Sequence, residues 1–253
     1  MPKLTKNSPQ KPFWDIKAAA KGVGEVYIYG LVTAYKWDDT DVTAADFKRD
    51  LDALGDIKTL NVYINSPGGS VFQGQAIYTI LKRHTAYKNV YVDGLAASIA
   101  SLVAMAGDTI FMPKNAMMMV HEPMNIIFMG NAQDFRKAAD DLDKIGESMK
   151  ASYMAKLDGK TTEEKLSELL AAETWLTAVE CFEYGFCDEL LDEKQIAASV
   201  DTELFARYKN VPENLLKMLQ RGGEGLLNEA DRRKLSEESK ANLAKLNQIL
   251  GGL

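Results

Sequence analysis

The sequence is poor in the residues that bind metals or cross-link small domains. It contains two cysteines, Cys181 and Cys187, and two histidines, His84 and His121. No pair of cysteines has the CxxC spacing of a zinc site. We expect both cysteines to be small packing residues, because free cysteine is often buried. The sequence therefore predicts no metal and no other cofactor.

Basic surfaces and long apolar runs are also missing. The formal net charge is −6, so we expect no nucleic-acid partner. No apolar run reaches the roughly 18 residues that a membrane helix needs. The N-terminal stretch MPKLTKNSPQKPFWD lacks the apolar core of a secretory signal. We therefore expect a cytoplasmic protein that does not contact a membrane.

Apolar segments of strand length alternate with segments of helical periodicity. We predict strands over 25–32, 60–65, 89–94, 109–113 and 116–121, and helices over 43–54, 71–83, 98–106, 131–157 and 163–170. The stretch 174–190 is typical of a turn, a short helix ending at Gly185 and a strand. This alternation predicts an α/β fold with a mainly parallel sheet that is covered on both faces.

The composition divides the chain into three parts. Residues 1–20 form a polar N-terminal arm, in which Phe13 and Trp14 are candidates for docking. Residues 21–194 form the α/β domain. Residues 195–253 are charged and helix-prone, and we predict a helical C-terminal tail used for packing or interaction.

Two residues fit nucleophilic catalysis. Ser98 follows a strand and the small-residue turn GLAAS, and it opens a helix whose first N–H groups are free. A helix N-cap is the ordinary alternative role for such a serine. His121 ends an apolar strand, where sites form in open α/β sheets. His84 lies in the polar stretch LKRHTAYKN, which favours a solvated helix end.

The turn SPGGS at 66–70 is the third feature. A Pro-Gly-Gly turn between a strand and a helix exposes backbone N–H groups and allows positive φ angles. It is not a phosphate-binding loop, because no Lys-Ser or Lys-Thr pair follows the glycines. Alone, it indicates only a tight turn.

Taken together, these motifs resemble the Clp protease proteolytic subunit family of serine peptidases. YINSPGGSV (63–71), GLAASIAS (94–101), VHEP (120–123) and TWLTAVECFEYGFCDEL (174–190) occur in the order of that family. The likeness covers about residues 25–192 and is strongest to the phage-encoded branch used in head maturation. The resemblance implies a fold of repeated β-β-α units, as in the Clp-protease and crotonase group, with a protruding long helix.

The resemblance also implies a role for each site residue. Ser98 would attack the scissile carbonyl and His121 would transfer the proton. The N–H groups of Gly69 and Ile99 would bind the oxyanion. Gly68, Pro123 and Met124 would bind an extended substrate by strand addition. Subunits of this family form rings, heptameric or stacked, that enclose unfolded polypeptides.

The triad acid departs from the family pattern. The family has an aspartate shortly before the TWLTA-like segment, where this chain has LSELLAAETW. Glu173 and Glu168 are the candidates, and Glu173 lies closer to the segment. A glutamate can orient an imidazole, as Ser-His-Glu triads show. A plain turn or helix cap is the alternative role of Glu173.

Three functions follow as hypotheses. The first is a serine endopeptidase in a homo-oligomeric ring, supplied by an AAA+ unfoldase or acting on phage capsid proteins as a prohead protease in the bacterial host cytoplasm. The second is an inactive pseudo-peptidase that serves as a structural ring or scaffold. The third is a fold relative that processes acyl-CoA with backbone N–H groups.

Overall fold

The computed structural model describes residues 12–33, 43–125, 129–157, 159–192 and 208–213. The chain comprises two units. The first unit holds every helix and strand named below, together with residues 208–210. Of the predicted tail 195–253, only residues 208–213 are among the described residues.

In the described ranges, eight strands form one mainly parallel sheet. The strands are β1 (Trp14–Ala20), β2 (Val23–Tyr29), β3 (Thr59–Ser66), β4 (Tyr87–Ala97), β5 (Thr109–Pro113), β6 (Met117–Val120), β7 (Thr174–Thr177) and β8 (Glu189–Leu191). Their order is β1-β2-β3-β4-β5-β8, and β6 pairs with both β4 and β7. Only the β1–β2 and β6–β7 pairs among these are antiparallel. The predicted α/β class is confirmed.

Helices connect the strands as the periodicity predicts. They are α1 (Ala44–Asp52), α2 (Val71–Arg83), α3 (Ile99–Ala104), α4 (Ala132–Leu157), α5 (Glu163–Ala171) and α6 (Ala178–Tyr184). Thr43 caps α1 and forms a capping box with Asp46. Gly185 ends α6 in the left-handed conformation, as predicted.

Strand β4 has two neighbours on the same side, and this fork positions the site. Its residues Asn89, Val90 and Tyr91 pair with β5, whereas Leu95, Ala96 and Ala97 pair with β6. Because β4 and β6 are parallel, their carboxyl ends meet at one edge of the sheet. The residues that follow these strands, Ser98 and His121, therefore lie side by side.

The two faces of the sheet differ in burial. One face is fully buried, with residues such as Val26, Val62, Val90 and Ile110 at 0% exposure. On the other face, the rings of Tyr27, Tyr63, Tyr91 and Phe111 stack across four strands and remain partly exposed. The described residues leave this face partly exposed, so within them the prediction that both faces are covered is wrong for this part of the sheet. Aromatic residues gave these strands a continuous apolar pattern, although their rings pack mainly against one another.

Strand β1 lies within the predicted N-terminal arm. Trp14 is only 4% exposed, its ring meets Phe47 edge-on, and its Nε1 donates a hydrogen bond to Asp50 at 3.1 Å. The stretch WDIKAAA gives a weak strand signal, because it is short and ends in three alanines, which are depleted in strands. Six of its seven residues are not fully buried. The chain from Trp14 onward is therefore part of the sheet.

Among the described residues, the fully buried side chains of the long helix α4 all lie in its C-terminal half. Met149, Tyr153 and Leu157 are its buried residues, whereas Phe135 in the first half is 46% exposed. No helix in the described part of the chain is both long and apolar enough to cross a membrane.

Candidate active site

Ser98 joins β4 to α3 in a conformation that few serines adopt. Its φ is 54° and its ψ is −131°, and its N–H donates to the Met119 carbonyl at 2.8 Å. Its hydroxyl makes no capping bond to α3, so a simple N-cap role does not explain it. A strained backbone that the surrounding structure holds in place is typical of functional sites.

The hydroxyl of Ser98 instead contacts His121. Ser98 Oγ lies 2.6 Å from His121 Nε2, and the two residues are 8% and 7% exposed. Burial lowers the pKa of His121, and the nearby Glu173 carboxylate opposes this by raising it. A lowered pKa keeps the imidazole neutral near pH 7, which is the form that accepts the serine proton.

The SPGGS turn lies against Ser98. Gly68 and Gly69 have φ angles of 92° and 142°. Val32 anchors the turn, since its N–H donates to the Gly68 carbonyl at 2.7 Å and its carbonyl accepts from Ser70 N–H at 2.8 Å. A Cβ on Gly68 would lie 2.6 Å from Ser98 Cβ, so no larger residue fits there.

Two backbone N–H groups near Ser98 are candidates for binding an oxyanion. Gly69 N–H and Ile99 N–H, the latter at the first position of α3, have no acceptor within the described residues. A Cβ on Gly68 would also lie only 3.2 Å from Ile99 N, so the turn and the start of α3 adjoin. This pair of N–H groups can receive the negative oxygen of a tetrahedral intermediate.

Glu173 is buried beside this site in the turn between α5 and β7. It is 7% exposed and has a φ of 49°. Its Oε1 accepts hydrogen bonds from the N–H groups of Lys209 at 2.6 Å and Asn210 at 2.8 Å. Within the described residues, no hydrogen bond or ion pair joins Glu173 to His121, although its charge raises the histidine pKa. Glu168 lies on the surface of α5 and pairs with Lys165 at 3.3 Å.

Segment 208–210 was not expected at this site. The ring of Tyr208 meets the rings of His121 and Trp175 edge-on, with centroids 5.5 Å and 6.0 Å apart. Its hydroxyl donates to the Pro67 carbonyl. Asn210 Nδ2 donates to the Ala172 carbonyl at 2.9 Å. No sequence signal indicates these contacts, because the segment lies outside every motif.

A buried pair of hydroxyl groups, from Ser101 and Tyr153, is hydrogen-bonded to the backbone of Ser98. Ser101 Oγ donates to the Ser98 carbonyl at 2.6 Å and lies 2.7 Å from Tyr153 Oη. A serine has one hydroxyl proton, so Tyr153 must donate to Ser101. The network connects the C-terminal half of α4 to the strained serine.

The other residues singled out in the sequence lie beyond His121 or away from the Ser98–His121 contact. Pro123 is half-buried and Met124 is 49% exposed, both just beyond His121. His84 ends α2, and its Nδ1 accepts from Ala86 N–H at 3.1 Å. The two cysteines are buried free thiols. In the described part of the chain, no three His, Cys, Asp or Glu side chains form a cluster that could hold a metal ion.

Comparison with known proteins identifies the family. The family model for Clp protease matches residues 40–194, more than half of the chain. The chain is 33% identical over 150 residues to the ATP-dependent Clp protease proteolytic subunit of Streptococcus equi subsp. equi, covering 58% of this chain and 76% of that protein. It is 35% identical over 144 residues to the subunit of the same name from Streptococcus pneumoniae, covering 56% of this chain and 72% of that protein. The chain therefore belongs to the Clp protease family, whose members are serine-type endopeptidases.

Proposed function

We propose that Ser98, His121 and Glu173 form the catalytic site with which this chain hydrolyses peptide bonds of extended polypeptides. The contact of 2.6 Å between Ser98 Oγ and His121 Nε2 carries the proposal. It joins a hydroxyl to a base of lowered pKa, next to two N–H groups that have no acceptor in the described part of the chain.

The first half of the reaction forms an acyl-enzyme. Neutral His121 accepts the proton of Ser98 Oγ at Nε2, and the oxygen attacks the scissile carbonyl carbon. The carbonyl oxygen becomes negative and accepts hydrogen bonds from Gly69 and Ile99. His121 then gives its proton to the departing amine, the C–N bond breaks, and an ester to Ser98 remains.

Water completes the cycle by the same groups. His121 accepts a proton from water, whose oxygen attacks the ester carbon, and the oxyanion returns to the same two N–H groups. When the C–O bond to Ser98 breaks, His121 returns the proton to Oγ. The peptide acid leaves and the free serine is restored.

The role proposed for Glu173 is electrostatic. His121 carries a positive charge in each tetrahedral state, and a fixed buried carboxylate nearby favours that charge. Gly68 lies against Ser98 in the fold, and Pro123 and Met124 follow His121 along the chain. We propose that these three residues bind the substrate backbone and a side chain by strand addition.

Labelling with a fluorophosphonate tests the proposal. The purified chain should take up the probe at Ser98, located by mass spectrometry, and should cleave an unfolded protein. Ser98→Ala and His121→Ala should abolish both signals, whereas Ser167→Ala, a serine on α5, should retain them. Normal cleavage by Ser98→Ala would disprove the assignment.

A structural role without catalysis is the second candidate. The absence of a Glu173–His121 hydrogen bond within the described residues favours it. It predicts assembly without labelling or cleavage. The structural role would be excluded if the wild-type chain were fully active and Glu173→Gln lowered that activity without changing assembly.

We also propose that the chain works as a homo-oligomeric ring. The relatives are named proteolytic subunits of an ATP-dependent protease, which suggests that this chain too receives substrate from an ATP-driven AAA+ partner. Phage capsid proteins are the alternative substrates, in which case no such partner is needed. Cleavage of folded capsid protein by the isolated chain would support the second route, and cleavage only with an added unfoldase would support the first.

A further inference from the structure

We propose that segment 208–210 is a positioning segment of the catalytic site, which holds Glu173 at a fixed place beside His121 and braces the SPGGS turn. The inference rests on the proposed roles of Ser98, His121 and Glu173. The assigned residues are Tyr208, Lys209 and Asn210, none of which belongs to the peptidase motifs.

Backbone N–H groups of the segment bind the Glu173 carboxylate. One carboxylate oxygen accepts from two successive N–H groups, at 2.6 Å and 2.8 Å. Hydrogen bonds to a charged acceptor are about twice as strong as neutral ones. The Asn210 side chain adds a bond to the Ala172 carbonyl, next to Glu173. The segment therefore restrains both the backbone and the carboxylate of the turn.

The turn that contains Glu173 requires such a restraint, because its backbone conformation is strained. Glu173 has a φ of 49°, which a residue with a side chain adopts only when its surroundings enforce it. A glutamate also has one more rotatable bond than the aspartate of the resemblance. Without the two N–H groups, its charge would be free to move relative to His121.

Tyr208 extends the contact to the opposite side of the site. Its hydroxyl donates to the Pro67 carbonyl, one residue before Gly68, and its ring lies edge-on to His121. One short segment thus contacts the acid, the base and the turn that carries an oxyanion donor. Such groups act in concert only if their distances are held within fractions of an ångström.

The experiment removes one backbone donor and keeps the rest. Lys209→Pro lacks the N–H that bonds Glu173, whereas the matched control Lys209→Ala keeps it and loses only an exposed side chain. We measure kcat and KM on a fluorogenic peptide that wild type cleaves, over a range of pH. We expect Lys209→Pro to lose roughly ten-fold in kcat with little change in KM, and Lys209→Ala to stay within about two-fold of wild type.

Two further readouts separate positioning from plain destabilisation. The carboxylate raises the pKa of His121, so the acid limb of the pH–rate profile should move to lower pH in Lys209→Pro. The loss should also vanish in a Glu173→Gln background, because two changes that act through one group are not additive. Tyr208→Phe, which removes only a hydroxyl, should lose about three-fold in kcat.

Other outcomes would overturn the inference. Wild-type activity in Lys209→Pro, or a gain of activity, would show that the segment is passive or obstructs the site. An equal loss in the Glu173→Gln background would show that it does not act through the carboxylate. Failure of wild type to bind the fluorophosphonate at Ser98 would instead refute the proposed function, and the two failures are therefore distinguishable.

Discussion

Two non-glycine residues in the described part of the chain have positive φ angles, and both lie at the candidate site. They are Ser98 at 54° and Glu173 at 49°. The sequence predicted both as site residues, Ser98 from its turn and motif and Glu173 from its place before TWLTA. It gave no sign of the strain, because a φ angle depends on the contacts that hold it. Met119 contacts Ser98, and segment 208–210 contacts Glu173, in both cases from distant positions in the sequence.

Gly68→Ala should abolish catalysis. The new Cβ would meet Ser98 Cβ at 2.6 Å and the Ala97 carbonyl at 2.7 Å, and its φ of 92° is strained for alanine. We expect a loss of more than about 100-fold in kcat/KM and roughly 1–3 kcal/mol in the free energy of unfolding, measured in urea. Gly55→Ala is the control, since Gly55 also has a positive φ but nothing within 4 Å. It should cost stability alone, and equal activities of the two variants would contradict the prediction.

The pH dependence should report His121. Its pKa is lowered by burial, so the neutral base persists below pH 6.5 and the acid limb of kcat/KM should lie below that value. Glu173→Gln removes the charge that raises this pKa, so the limb should move to still lower pH while the maximal rate falls. The folded state binds fewer protons at His121 than the unfolded state does, so the contribution of this group to stability declines as pH falls below about 6.5. A limb that moves upward in Glu173→Gln would contradict the assignment.

At the scale of elements, the periodic segments were predicted well and the pairings were not. The helix Val71–Arg83 and the strand Thr109–Pro113 have the predicted bounds, because their patterns are local. Strand β4 pairs with β5 along its first part and with β6 along its last part, and no local sequence pattern predicts this change of partner. The pairing of β4 with β6 brings Ser98 next to His121. The geometry of the site therefore depends on a strand pairing that could not be predicted from the sequence.

The crossing of α2 and α3 offers a test at this scale. A Cβ on Gly74 would lie 2.2 Å from Ile99 Cγ1, so Gly74→Ala must push the start of α3 away from α2. Because Ile99 carries a proposed oxyanion donor, we expect a fall in kcat together with a loss of about 1–3 kcal/mol in unfolding free energy.

Two variants control this test. Ile99→Ala in the Gly74→Ala background keeps the N–H and removes the overlap, so part of the lost activity should return. Gly146→Ala in α4, whose new Cβ would be 3.6 Å from Pro123, should stabilise the helix by about 0.5–1 kcal/mol. No recovery in the double variant would contradict the proposed coupling.

At the scale of the whole molecule, the exposed half of α4 requires an explanation. The helix is 26 residues long, yet its buried residues all lie at its C-terminal end. Phe135 is 46% exposed and Met129, just before the helix, is 90% exposed. Exposed apolar side chains can mark a contact with another chain, and we propose that the first half of α4 makes such a contact in the homo-oligomeric ring.

Phe135→Glu should therefore weaken assembly without unfolding the subunit. A buried, unpaired carboxylate at a subunit contact is costly, whereas the same residue in a free subunit faces water. We expect sedimentation velocity to show smaller species at a given concentration, with circular dichroism unchanged.

Gln133→Glu adds the same charge to the same exposed turn of α4 and should leave the larger species intact. Because the hydroxyl pair Ser101–Tyr153 connects the anchored half of α4 to the Ser98 carbonyl, labelling of Ser98 should be measured in each species separately. Slower labelling of the dissociated subunit would show that assembly supports the nucleophile through this helix. Unchanged sedimentation of Phe135→Glu would exclude α4 as the contact, and would leave the exposed aromatic face of the sheet as the next surface to vary.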